Sequence, residues 1–246
     1  KLPDERIFKI DFRSLVPNLI TLTGLCFGLS SIRFALEYQF EIAVINILLA
    51  AVCDALDGIF ARILNSQSEL GAELDSLADF VNFGVAPGLV LYMGIMQERD
   101  LVGSIAILIF IIFSCIRLAI FNLDSDDESS EEAGFFMGIP TPMGAVLILL
   151  PLTHSFLGFT WAQQNINFVA IYTVLIGALL ISRVPTYSTK RQKFKLQRSN
   201  YIQFLTIFTL ILLGLINFLW ASLSFLAAIY ILSIPFSIRA WKGLKS

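Results

Sequence analysis

Residues 54–62 read Asp54-Ala55-Leu56-Asp57-Gly58-Ile59-Phe60-Ala61-Arg62, and Gly71, Asp75 and Asp79 follow within the next 17 positions. The surrounding sequence is long and apolar. Carboxylates at membrane depth are costly, and they are kept mainly where they act. Asp54 and Asp57 are three residues apart, Asp75 and Asp79 four, so on helices each pair shares a face. Gly58 and Ala61 lie on the face of the first pair, where small side chains admit a ligand or a second backbone. Two helices meeting along these faces gather four carboxylates at one point. Like charges so placed need a counter-charge, and a hard divalent cation held by oxygen ligands supplies it.

The rest of the chain sets the environment. Of its 246 residues 57% are hydrophobic, too many for an ordinary soluble domain. With 17 basic against 19 acidic residues there is no basic surface for nucleic acid, and no nucleic-acid partner is expected. Cys26, Cys53 and Cys115 fall in apolar runs at no metal-ligand spacing and read as small buried hydrophobes without a disulfide framework. The first apolar run is too long for a cleavable secretory signal, so it is expected to persist as a span.

Stretches able to cross a bilayer, roughly 20 residues each, recur at 16–36, 41–63, 72–97, 101–122, 140–158, 165–183, 202–219 and 221–240. Lipid cannot satisfy open backbone groups, so such segments are helical. The expected fold is therefore an all-α integral membrane protein, a bundle of about eight transmembrane helices. With the N-terminus inside, every lysine and arginine except Arg33 and Arg99 falls on the inner side, which also puts the C-terminus in the cytoplasm. The aspartates then lie at the cytoplasmic ends of the second and third spans. Asp54 is eight residues from Arg62, about 12 Å along a helix, near the depth of a lipid phosphate region.

Written out, the run is D-x2-D-G-x2-A-R-x8-G-x3-D-x3-D, with every fixed position met. This resembles the signature of the CDP-alcohol phosphotransferase family of integral membrane enzymes. Pro17-Asn18-Leu19-Ile20-Thr21, the stretch Asp75–Pro87, Arg117-Leu118-Ala119-Ile120-Phe121-Asn122 and the Gly138–Pro142 turn are similar to the bacterial and archaeal phosphatidylserine synthase branch of that family. The chain divides into an amphipathic arm (1–14), an interfacial helix or an unordered tail, a six-helix catalytic core (15–183) of the resembled family, a basic cytoplasmic loop (184–200) and two further helices with a short basic tail (201–246).

The resemblance implies transfer of the phosphatidyl group from CDP-diacylglycerol to the hydroxyl of L-serine, giving phosphatidylserine and CMP. It also implies Mg2+ or Mn2+ as cofactor, membrane lipids as partners, a homodimer, and a multi-pass place in the cell (inner) membrane with the site facing the cytoplasm. Asp54, Asp57, Asp75 and Asp79 are the implied metal ligands, and Asp79 the general base. Gly58, Ala61, Arg62 and Gly71 would cradle the nucleotide, with Asn18 helping at the mouth of the first helix. A serine hydroxyl is a weak nucleophile at neutral pH and needs such a base.

The acceptor pocket is less defined. Asn82 is three residues beyond Asp79 and is placed on the same face. Arg117, Asn122 and Thr141 are candidates at the same depth, with helix packing the alternative for each. Lys190 and Arg191, in the basic loop, are candidates for lipid phosphate. The acidic run of residues 123–137 reads as a solvated loop, and Glu69 and Glu73 as surface residues. His154 falls near the outer end of its helix, away from the carboxylates. Two other readings remain: the same chemistry on glycerol 3-phosphate, inositol or choline, and a divalent-cation transporter. A phosphorylated acceptor would need more cations than Arg62 and Arg117. A transporter would need acids near the midplane and in both halves of the bilayer, whereas the outer half of the spans shows no acid path.

Overall fold

The computed structural model of the chain describes residues 12–66, 68–124, 135–182, 184–187, 213–214 and 217–245. Its helices are α1 (Phe12–Leu36), α2 (Phe40–Ile63), α3 (Glu69–Met96), α4 (Asp100–Asp124), α5 (Thr141–Phe156), the single turn α6 (Trp161–Gln164), α7 (Ile166–Ile181) and α8 (Leu219–Lys245). Five carry stretches long and apolar enough to cross a membrane: Leu15–Leu36, Phe40–Ile63, Glu69–Met96, Leu101–Leu123 and Leu219–Arg239. The expected spans at 140–158 and 165–183 are shorter helices, 16 residues each. Gly138 and Pro140 delay the start of the first, and the turn at Leu157–Thr160 separates the two. The expected span 202–219 lies almost wholly outside the described residues, as do residues 1–11 of the expected arm.

The architecture is helical with one addition that periodicity did not predict. Strands β1 (Phe135–Met137) and β2 (Pro185–Tyr187) pair antiparallel, Phe135 opposite Tyr187 and Met137 opposite Pro185. The segments expected to be an acidic and a basic loop thus each contribute three residues to a small ladder. Gly138 ends β1 with φ +80°, a left-handed conformation that glycine adopts freely. Its N–H donates to the Val184 carbonyl at 2.8 Å. A side chain there would also meet the Leu180 carbonyl oxygen at 2.6 Å.

Packing follows an inside-out logic. On α4, Leu101, Ile105, Leu108, Ile112 and Ile116 recur every three or four residues and are exposed, as a lipid-facing stripe should be. The opposite face buries Ala106, Ile107, Phe110 and Ser114. The core joins Val44 and Ile47 of α2, Val90, Leu91 and Met96 of α3, Phe110 of α4, Leu147 and Ile148 of α5 and Leu180 of α7. Cys26 and Cys115 are exposed and Cys53 half-buried, all three free, which corrects the expectation of buried thiols. In a membrane protein an apolar face points to lipid as readily as to the core.

Two caps place the site. α1 ends with Tyr38 left-handed at φ 59°, and α2 ends with Asn65 at φ 48°. After α2, Ser66 N–H reaches the Ala61 carbonyl at 3.0 Å and Asn65 N–H the Arg62 carbonyl at 3.3 Å. This is the crossed pair that closes a helix on a left-handed residue, a position asparagine tolerates. α3 then opens on Ser68, whose hydroxyl accepts the Gly71 N–H at 3.1 Å. The end of α2 and the start of α3 are so fixed against each other within a few residues.

Candidate active site

The capped turn brings the aspartate faces of α2 and α3 together beside α1. One carboxylate oxygen from each of Asp54, Asp57 and Asp75 lies within 4.8 Å of the other two. Asp79, one turn deeper on α3, faces Asp54 of α2. All four predicted carboxylates therefore converge. Asp57 is the most enclosed, at 5% exposure, and Thr21 of α1 donates to its Oδ2 at 2.6 Å. The Thr21 hydroxyl also lies 3.1 Å from the Pro17 carbonyl, so it is held between its own helix and the carboxylate.

A cavity of about 310 Å3 opens beside this cluster. Asp57 and Asp75 form its acidic end, and Gly58 and Ala61 of α2 and Gly71 and Ala72 of α3 form small-residue walls. Pro17, Asn18 and Thr21 close it from α1, and Ser66 and Ser68 from the capped turn. Gly58 has nothing within 4 Å of where a Cβ would stand, so its missing side chain is open cavity. At Gly71 a Cβ would stand 3.0 Å from Asn18 Oδ1 and 3.0 Å from Ser68 Oγ. Gly58 is thus open space, whereas Gly71 lets Asn18 and Ser68 approach the backbone of α3 closely.

Arg62 is exposed and makes no ion pair among the described residues; its Nε donates to the Gly58 carbonyl at 2.9 Å. It sits at the rim rather than neutralising the cluster. Three carboxylate oxygens at mutual contact distance, from two helices and beside a polar cavity, suit a hard dication such as Mg2+ or Mn2+.

The acceptor candidates separate. Asn122 is exposed and pairs with Ser76 across α3 and α4, donating from Nδ2 to Oγ at 3.0 Å. Arg117 is buried, its Cζ 5.5 Å from the Phe121 ring centroid, and Gly138 abuts it. The Ser76–Asn122 pair and the close packing of Gly84 on Ser114 bracket Arg117 at the depth of Asp79. Thr141 is buried at the start of α5. Asn82 is buried against Gly28 of α1 and is not among the cavity's lining residues. Glu69 and Glu73 are exposed, and His154 packs on Phe159 and Trp161 at the far end of α5. Lys190 and Arg191 lie outside the described residues.

Sequence reasoning missed Thr21, Ser66 and Ser68. Thr21 stands three residues after Asn18 and shares its face, a signal that an apolar helix otherwise hides. Ser66 and Ser68 gain their place from the two caps.

The sequence model of CDP-alcohol phosphatidyltransferases matches residues 14–181, which span α1 to the end of α7. The chain is 43% identical over 175 residues to a Mycobacterium leprae protein named CDP-diacylglycerol–serine O-phosphatidyltransferase, covering 70% of this chain and 57% of that one. Proteins of the same name are 35% identical over 187 residues in Helicobacter pylori strain 26695 and 31% identical over 170 residues in Bacillus subtilis strain 168. These alignments take in 74% and 69% of this chain, and 76% and 88% of the relatives. The chain spans 57–60% of the length of the mycobacterial proteins it matches. The match runs through the residues that build the cavity and carboxylate cluster, and the chain belongs to the CDP-alcohol phosphatidyltransferase family.

Proposed function

We propose that the protein is a CDP-diacylglycerol–serine O-phosphatidyltransferase. The observation that carries this reading is the meeting of three carboxylate oxygens within 4.8 Å at the acidic end of a cavity walled by glycine and alanine. Such a cavity admits a nucleotide diphosphate whose anionic phosphates attract carboxylates only through a cation. Mg2+ or Mn2+, when bound, neutralises charge on the transferred phosphoryl group and on departing CMP. Asp54, Asp57 and Asp75 hold it, with Asp79 as a further ligand at the deeper end. Gly58, Ala61 and Gly71 leave room for the nucleotide, Asn18 hydrogen-bonds it, and Arg62 faces its charge from the rim.

The reaction forms a bond from the serine oxygen to phosphorus and breaks the bond from phosphorus to CMP. Asp79 takes the serine hydroxyl proton at its carboxylate as the oxygen–phosphorus bond forms, and CMP leaves with the electron pair of the broken bond. The serine oxygen displaces CMP directly, with no covalent intermediate on the protein. Arg117, buried at the depth of Asp79, is the candidate partner for the serine carboxylate, with Asn122 and Thr141 as further acceptor candidates. Lys190 and Arg191 are candidates for lipid phosphate. The distribution of lysine and arginine supports both termini and the site on the cytoplasmic side of the cell membrane, in a bundle of about eight spans. The family resemblance supports a homodimer.

The names of the relatives favour serine over other alcohols. The test offers the purified protein CDP-diacylglycerol with serine, inositol, glycerol 3-phosphate or choline and measures CMP release. Serine should be the productive acceptor, with turnover dependent on Mg2+ or Mn2+. Release with another acceptor only rejects serine while keeping the chemistry.

A further inference from the structure

Just beyond Asp79 the helix α3 changes its winding. Over Phe80–Val85 the backbone widens, and the Ala86 N–H reaches back five residues to the Val81 carbonyl. A wider turn rotates each following side chain by less than the 100° of an α-helix. Asn82 lies within this widened segment and packs against α1.

Its seat there is tight and unusual. Asn82 is 2% exposed, and its Oδ1 is buried with no hydrogen-bond partner. A Cβ built on Gly28 would overlap that oxygen and lie 3.3 Å from Asn82 Cα. A Cβ on Gly24, one turn earlier, would stand 3.7 Å from Asn82 Nδ2 and 3.1 Å from Cys53 Cβ of α2. The amide fills a notch that two glycines leave in α1. A buried amide oxygen so poorly satisfied is worse for stability than an aliphatic side chain of the same size. On the other side of the widened turn, Gly84 packs on Ser114 of α4, where a Cβ would come 2.8 Å from Oγ. α3 is keyed from both flanks directly after its last aspartate.

We propose that Asn82 is a positioning residue: seated in the Gly24–Gly28 notch of α1, it fixes the register of α3 so that Asp75 and Asp79 meet Asp54 and Asp57 at one point. The cluster draws two carboxylates from α2, the Thr21 hydroxyl from α1 and two carboxylates from α3. A slip of α3 by one residue moves it about 1.5 Å along its axis and turns it about 100°. That would carry Asp75 out of the 4.8 Å ring. The notch resists both motions, because the amide is wider than the gap between neighbouring side chains on α1. This inference rests on the metal reading above.

The test compares wild type, Gly28→Ala, Asn82→Ala and the double variant in detergent. Mn2+ is titrated against the thermal unfolding midpoint, with no turnover required, and then against activity; the serine KM is measured in parallel. Gly28→Ala should raise the Mn2+ concentration for half-effect roughly 10-fold or more, the scale of losing an outer-shell support. Asn82→Ala should raise it several-fold with the serine KM unchanged. The double variant should return to the Asn82→Ala value, because the new methyl then occupies the space of the missing amide. A role confined to packing would lower the midpoint without Mn2+ and leave the Mn2+ half-effect at the wild-type value, which overturns the proposal. So does a double variant no better than Gly28→Ala, or an Asn82→Ala protein altered only in serine KM, which would make the residue an acceptor contact. If Gly28→Ala does not fold, recovery of folding in the double variant together with the Asn82→Ala shift supports the proposal, and absence of that shift overturns it. A wild type unresponsive to Mn2+ instead rejects the metal reading, and the register proposal with it.

Discussion

Thr21 donates to Asp57 Oδ2 at 2.6 Å and so holds that carboxylate in place for a ligand. Thr21→Val keeps the volume and removes the donor. The metal concentration for half-maximal activity should rise about 10–100-fold, the usual cost of losing a hydrogen bond that orients a metal-binding carboxylate, with saturated turnover changed less. Asp79→Asn should behave in the opposite way. The amide cannot accept the serine proton, so turnover at saturating metal should fall roughly 10²–10⁴-fold while donor binding is largely kept. Steady-state titrations of both variants with Mn2+ separate the two roles. An Asp79→Asn protein that turns over normally removes the proposed base, and a Thr21→Val protein with wild-type metal dependence shows that Asp57 is oriented without the hydroxyl.

At the scale of elements, the small-residue face of α2 is a wall of the cavity and not a packing seam. Gly58 illustrates the distinction, since nothing stands within 4 Å of its absent side chain. Gly58→Leu should fold, and helix propensity alone favours it by about 1 kcal/mol. The leucine projects into the cavity, so the KM for CDP-diacylglycerol should rise at least 10-fold while the thermal midpoint is held or raised. A loss of folding would instead make Gly58 a helix contact. The convergence of the four aspartates was legible because i,i+3 and i,i+4 spacing determines a helix face before any tertiary contact is known. The widening of α3 over Phe80–Val85 was not, because spacing arguments assume 3.6 residues per turn and this segment breaks that period. The β1–β2 ladder escaped for another reason: three-residue strands are too short to show alternation. The exposure of Cys26 and Cys115 escaped because hydropathy does not distinguish a face toward lipid from one toward the core.

At the scale of the whole molecule, the catalytic proposal requires the capped turn between α2 and α3 to face the cytoplasm, where serine and CMP are soluble. The turn between α1 and α2 then faces outward, because α2 (24 residues) separates it from the aspartate end by about 36 Å, a full bilayer core. The charge pattern agrees: Arg33 is one of the two basic residues expected outside, and it is engaged locally by Glu37 at 3.0 Å. Single cysteines in a background lacking Cys26, Cys53 and Cys115 test the arrangement. A Gln39→Cys protein in intact cells should react with a membrane-impermeant maleimide added outside. Glu73→Cys, exposed on the first turns of α3, should react only after the membrane is opened. The turn at Gly158, which follows α5, should label like Gln39 if α5 runs from the inner to the outer side, as its start beside Arg117 implies. Labelling of Glu73→Cys from outside would place the carboxylates on the face away from the soluble acceptor. The transfer to serine would then lose its cytoplasmic supply of substrate, while the geometry of the cluster itself would stand.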